Sequence, residues 1–230
     1  MTIRLLAEAL GTFFLFATVV GAGIMADRLA GGNVAVALIG TTLPIGAILF
    51  VIIAMLAPFS GAHFNPAVTL VVWLRREIET LAALAYVLVQ LASGVIAVWV
   101  VHLMFDLPVF QVADTSRTGI GQWAGEGVAT FGLIVTILAT ARARPDWVAA
   151  SVALYIFAAC WFTSSTSFAN PAITVARSLT DTFTGIAPGD IPGFIASQLA
   201  GALAAMGVCR VLLGGEAQAP APAPETIVAE

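Results

Sequence analysis

Charge is what this sequence has least of. Only 10% of its 230 residues are Asp, Glu, Lys or Arg, and lysine is absent: the nine basic residues are all arginine, set against thirteen acids. A soluble domain carries about 25% charged residues, so this chain cannot cover itself with a hydrated surface and must use lipid as its solvent. A formal charge of -4 offers no basic patch for nucleic acid. The two cysteines, Cys160 and Cys209, sit in apolar runs without CxxC or Cys/His spacing. They read as small buried residues rather than a redox or metal site. No nucleophile–base or metal constellation appears, which argues against an enzyme, and no cofactor is expected. A cleavable signal is missing too, because the apolar run after Arg4 continues to Met25. That is too long for a signal-peptide core, and it reads as a first membrane helix.

Hydrophobic residues fill the space that charge leaves, at 60% of the chain with a mean hydropathy of +1.02. Apolar runs occur at about 4–25, 34–57, 81–104, 123–141, 147–163 and 191–213. At roughly 20 apolar residues per span, these are six transmembrane helices with short connections and no separate soluble domain. Two more apolar stretches, about 66–74 and 171–179, each follow a segment rich in Gly, Ser, Thr and Asn. About ten apolar residues fit a re-entrant half-helix better than a span. Irregular backbone at that depth is tolerated only against protein or a water-filled cavity. From Gly214 to Glu230 the chain alternates Ala and Pro and ends acidic, which predicts a disordered tail.

The arginines orient the chain. With the N-terminus in the cytoplasm, Arg4, Arg75, Arg76, Arg142, Arg144 and Arg210 lie inside, and Arg28, Arg117 and Arg177 outside. That satisfies the positive-inside rule, and six spans return the C-terminus to the cytoplasm.

The sequence also repeats itself. Glu8-Ala-Leu-Gly-Thr12-Phe13 matches Glu126-Gly-Val-Ala-Thr130-Phe131, and Phe64-Asn65-Pro66-Ala67-Val68-Thr69 matches Ala169-Asn170-Pro171-Ala172-Ile173-Thr174. Gln90-Leu91-Ala92 matches Gln198-Leu199-Ala200 in the same order. Repeat one covers about 1–104 and repeat two about 123–213, within a single domain over 1–213. Each holds three spans, an odd number, so the second half crosses the membrane upside down. Such inverted repeats hold their site at the midplane, where the two half-helices would meet.

Asn-Pro before an apolar run starts a helix, since Asn is a favoured N-cap and Pro suits the first helical position. In Asn65 and Asn170 the side-chain oxygen is expected to cap the helix while the amide N–H groups point into a pore. The positive ends of both half-helices converge there, which repels cations and protons but not neutral hydroxyl-bearing solutes. Glu8 and Glu126 are carboxylates inside spans, an expensive placement. They are expected to anchor the re-entrant loops by accepting hydrogen bonds. His63 has no second ligand at a metal-binding spacing.

These signatures, above all Ser60-Gly61-Ala62-His63-Phe64-Asn65-Pro66-Ala67, resemble the major intrinsic protein (aquaporin and aquaglyceroporin) family over the whole chain except the tail. The resemblance implies an all-α membrane protein: an aquaporin-like right-handed bundle of six transmembrane helices plus two re-entrant half-helices, assembled as a homotetramer in the lipid bilayer. It puts His63 on the cytoplasmic side of the pore. The informative departure lies in the family's selectivity filter. Most members have Arg directly after the second Asn-Pro-Ala, where this chain has Ile173. Spacing from the two signatures assigns the other filter positions to Ile45, Ala158 and Ser167, where water-selective members tend to have Phe and His at the first two. An Ile-Ala-Ser-Ile constriction is wide, apolar and uncharged, and should pass neutral solutes larger than water. Arg177 lies four residues beyond Ile173 on the same helix face. It either reaches back over the mouth to restore the missing donor or sits as a vestibule or headgroup-facing arginine near Asp181.

The approach from Trp161 to Asn170, together with the missing Arg, resembles a bacterial subgroup associated with arsenic-resistance operons. That implies arsenous acid, a neutral trihydroxy solute, alongside glycerol-type polyols and water as permeants, in a bacterial inner membrane. The alternatives are a water-selective aquaporin, against which the missing Arg and His count, and an ion-coupled secondary transporter. The transporter would need acidic coupling residues beside the helix breaks, and neither Asn-Pro-Ala helix carries one.

Overall fold

The computed structural model describes residues 1–214, so the Ala/Pro-rich segment expected to be disordered lies, from residue 215 on, outside the described residues. Among the described residues eight α-helices follow one another: α1 (Thr2–Leu29), α2 (Val34–Ser60), α3 (Pro66–Leu74), α4 (Thr80–Met104), α5 (Ile120–Ala143), α6 (Val148–Phe162), α7 (Pro171–Arg177) and α8 (Ile191–Leu213). Short 3-10 turns at Pro145–Trp147 and Pro188–Asp190 lead into α6 and α8. Six of these helices, counting the two lead-in turns, are long and apolar enough to cross a membrane. The other two, α3 and α7, are the short half-helices.

Two helices run through residues that commonly end one. Asp27 and Arg28 close the first apolar run in the sequence, yet α1 continues through both. The Arg28 guanidinium donates to the Phe105 carbonyl at 3.1 Å and lies 5.2 Å from the Phe105 ring centre, so the charge is held at the end of α4. In α2 neither Pro44 nor Pro58 ends the helix; a membrane helix tolerates the lost N–H where neighbours re-satisfy the backbone. α2 stops instead at Gly61, whose φ of 85° is a left-handed turn that glycine adopts without strain.

Successive spans reverse direction. The N-terminus, the α2–α3, α3–α4 and α5–α6 links and the end of α8 therefore share one face, called the near face. The α1–α2, α4–α5, α6–α7 and α7–α8 links share the far face, where the two long loops are stitched together. Ala113 N–H donates to the Ser178 carbonyl at 2.9 Å and Ala187 N–H to the Thr115 carbonyl at 2.8 Å.

The packing follows the internal repeat. α1 packs on α2 and α4, as α5 packs on α6 and α8, and α2 against α6 joins the halves. α3 and α7 touch each other and both repeats. Without a hydrophobic drive between helices in lipid, close packing depends on small residues. Gly201 shows this: a Cβ there would run into the Gly127 carbonyl, so α8 meets α5 backbone to backbone.

A candidate pore where two half-helices meet

The loops entering α3 and α7 have the same backbone, turn for turn. Ala62 and Ser167 both have φ of 52°, and Phe64 and Ala169 both have φ of 48°. The next residues swing to extended values, -157° at Asn65 and -156° at Asn170. Non-glycine residues at positive φ cost energy and persist only where the surroundings hold them. One buried carboxylate holds each loop. Glu8 accepts from Ser60 Oγ at 2.7 Å, His63 N–H at 2.9 Å, Phe64 N–H at 2.8 Å and Gln90 Nε2 at 2.8 Å. Glu126 accepts from Phe168 N–H at 2.8 Å, Ala169 N–H at 2.9 Å and Gln198 Nε2 at 2.5 Å. Every partner is a donor, which suits an ionised carboxylate.

Each glutamine serves two masters. Gln90 also donates to Thr69 Oγ at 3.2 Å, and Gln198 to Thr174 Oγ at 2.9 Å. The two threonines in turn donate to the carbonyls of Asn65 and Asn170. His63 Nδ1 shares a 3.1 Å hydrogen bond with Thr69 Oγ, and His63 Nε2 has no protein hydrogen-bond partner among the described residues.

The asparagines do more than cap. Asn65 Oδ1 accepts from Ala67 N–H at 2.8 Å; Asn170 Oδ1 accepts from Ala172 N–H at 2.9 Å and Ile173 N–H at 3.3 Å. Their amide N–H groups were expected to point into a pore. Each amide also crosses to the other repeat: Asn65 Nδ2 donates to the Ala169 carbonyl at 2.7 Å and Asn170 Nδ2 to the Phe64 carbonyl at 2.9 Å. One N–H of each amide is used this way and one remains. Pro66, Ala67, Pro171 and Ala172 form the first turns behind them.

A cavity of about 530 Å³ runs past both asparagines, from Pro145 and Asp146 at the near face to Arg177 toward the far face. Ile45, His63, Ser167, Ile173 and Arg177 all line it. Ser167 carries a buried hydroxyl without a hydrogen-bond partner among the described residues. Ala158 is a correction. It lies on the exposed face of α6 and does not line the cavity. At 3.6 residues per turn the lining stripe of α6 is Val148, Val152, Ile156 and Cys160. Position 158 is half a turn from both Ile156 and Cys160, so counting back from Asn170 picked the wrong face.

Arg177 is 6% exposed, which rules out the headgroup-facing reading. Its Nε donates to the Thr184 carbonyl, and its guanidinium carbon sits 3.3 Å from the Phe168 ring centre. Arg117, from the α4–α5 loop, approaches the same ring at 5.3 Å and donates from Nε to the Gly185 carbonyl at 2.7 Å. Burial draws the Arg117 pKa below the usual guanidinium value, and the Glu126 carboxylate opposes the shift. Sequence reading used Arg117 only to orient the chain and Phe168 only as part of the approach to Asn170, and gave neither a place at the site. Phe168 matches His63 in the repeat, and both rings stack edge-on against the last helix of their repeat, His63 on Tyr86 at 5.1 Å and Phe168 on Phe194 at 5.0 Å. Among the described residues no group of three or more His, Cys, Asp and Glu side chains could hold a metal ion.

Residues 2–162 match the model of the major intrinsic protein family. Aquaglyceroporin AqpS of Rhizobium meliloti (strain 1021) is 52% identical over 213 residues, covering 93% of this chain and 91% of that one. The probable aquaporin TIP1-1 of Oryza sativa subsp. japonica is 32% identical over 148 residues, covering 59% of this chain and 56% of its own length. Among solved structures, the aquaglyceroporin from Plasmodium falciparum superposes with a TM-score of 0.68 at 18% identity, covering 92% of this chain and 96% of its own. A matched pair of capped half-helices on one cavity, six membrane-crossing helices and these likenesses lead to one conclusion: the chain is an integral membrane protein that belongs to the major intrinsic protein family, a family of channels.

Proposed function

We propose that this protein is a passive channel through which small neutral hydroxyl-bearing molecules cross a membrane together with water. One observation carries the reading: a single cavity passes both Asn-capped helix starts, and its wall on either side of them is largely apolar. The positive ends of α3 and α7 converge at Asn65-Pro66-Ala67 and Asn170-Pro171-Ala172, a barrier to cations that costs a neutral solute nothing. The remaining asparagine N–H groups meet a passing oxygen. Ile45, Ser167 and Ile173, with Ile156 and Cys160 where Ala158 was expected, form the constriction. His63 adds a ring nitrogen able to hydrogen-bond in the wall, and Glu8 and Glu126 hold the loops in shape.

A constriction lined by isoleucine strips water without repaying it in hydrogen bonds. That favours solutes with an apolar or polarisable body, so glycerol-type polyols and arsenous acid are the permeants this reading names. The likeness to a protein named aquaglyceroporin supports the polyol part. Residues 1–213 act as one channel domain of two repeats, four copies assemble, and both termini face the cytoplasm of a bacterial inner membrane. No enzymatic step belongs to this reading.

The test is one proteoliposome series with purified protein, reading swelling for water and glycerol and uptake for arsenite. Fluxes of glycerol and arsenite that stay linear with concentration support the channel. Water flux alone would make it a water-selective pore, and saturable uptake driven by a proton gradient would make it a coupled transporter.

A further inference from the structure

Arg177 is the one full charge in the wall of the cavity away from its near-face mouth, where Asp146 lies. An arginine is always protonated, and an ionisable group at membrane depth is costly unless it pairs or works. Among the described residues no carboxylate lies within ion-pair distance of it. It is nevertheless rigidly held. Its Nε is committed to the Thr184 carbonyl, and the Phe168 ring lies flush against the guanidinium at 3.3 Å. Phe168 is itself pinned by its backbone N–H on Glu126 at 2.8 Å and by the Phe194 ring. The terminal nitrogens of Arg177 make no hydrogen bond to protein among the described residues, and the side chain lines the cavity. A fixed cation with idle donors beside a conduit repels cations and offers hydrogen bonds to a solute.

Resting on the channel reading above, we propose that Arg177 is the residue that sets selectivity at the far end of the conduit. It supplies donors and a positive charge one helical turn outward from Ile173, and it narrows the opening there. Phe168 and the Thr184 carbonyl are positioning groups that keep the guanidinium from swinging away. The constriction is therefore divided: isoleucine over most of its wall and one guanidinium edge. The solute it suits is a small neutral molecule with hydroxyls on one edge, slender enough to pass the guanidinium.

The experiment compares glycerol, erythritol and xylitol swelling and potassium leak in proteoliposomes of wild type, Arg177→Met, Arg177→Lys and the pair Ile173→Arg/Arg177→Met. With wild type conducting glycerol, Arg177→Met should raise the xylitol-to-glycerol ratio several-fold and let potassium leak. Arg177→Lys keeps the charge but loses the flat, stacked donor pair, so potassium exclusion should survive while size discrimination slackens. Returning a guanidinium one turn inward, in the double variant, should restore potassium exclusion. Wild-type size ratios and tight potassium exclusion in Arg177→Met would overturn the proposal, as would equal behaviour of Met and Lys. If Arg177→Met fails to insert, the separation of charge from shape in Arg177→Lys decides it. A wild type that passes no polyol at all would instead overturn the channel reading on which the proposal rests.

Discussion

Asn65 and Asn170 are cross-tied: each donates its amide to the carbonyl just ahead of the other, at 2.7 Å to Ala169 and 2.9 Å to Phe64. The two half-helices are thus locked to each other by the same side chains that cap them. The residues stand 105 apart in the chain, and neither bond exists unless both repeats have folded.

Asn170→Asp should keep the oxygen that caps α7 but lose the donor to Phe64. The new carboxylate would sit among converging helix starts, where it weakens the barrier to cations. Neutral-solute flux should fall and potassium leak should rise, read in the same proteoliposomes. Unchanged flux with no leak would take Asn170 out of the pore.

Glu126→Ala strands three buried donors: the Phe168 and Ala169 N–H groups and Gln198 Nε2. Each lost partner costs about 1–3 kcal/mol, and the positive φ at Ala169 would lose what holds it. Poor assembly and a clearly lower melting temperature in detergent are expected. A variant as stable as wild type would mean that water replaces the carboxylate.

Ile156→Trp and Ala158→Trp separate the two faces of α6. The first adds a large ring to the cavity wall and should reduce glycerol flux at least tenfold. The second points away from the cavity and should leave flux per inserted protein close to wild type. The reverse result would restore Ala158 to the constriction.

Ile173→Arg puts a second guanidinium on the first turn of α7, where Ile173 is 4% exposed and lines the cavity. The opening should narrow and gain donors suited to water, so glycerol and arsenite permeation should drop much more than water permeation. The charge faces an aqueous conduit, so the protein should still insert. Proportional losses in all fluxes, or none, would show that Ile173 does not set selectivity.

Much of this architecture was legible in the chain itself. Apolar run length marks spans because a bilayer has a fixed thickness, and Asn-Pro starts a helix through local chemistry alone. The matched order of Glu8, Asn65 and Gln90 with Glu126, Asn170 and Gln198 requires an inverted repeat, because three spans cannot return to the starting face. What sequence could not decide is which face of a helix looks inward when all its faces are apolar. α6 is hydrophobic all round, so its pattern carried no direction, and Ala158 was assigned by counting through an irregular loop. Packing against α2 and α5 chose the Ile156 and Cys160 face instead. Arg177 was open for a related reason: a long side chain on a half-helix can reach inward or outward. Only the Thr184 carbonyl and the Phe168 ring, brought to it by the α7–α8 loop and by Glu126, hold it against the cavity. Local rules set where each helix begins and how far it spans, and contacts between distant segments set what each side chain faces.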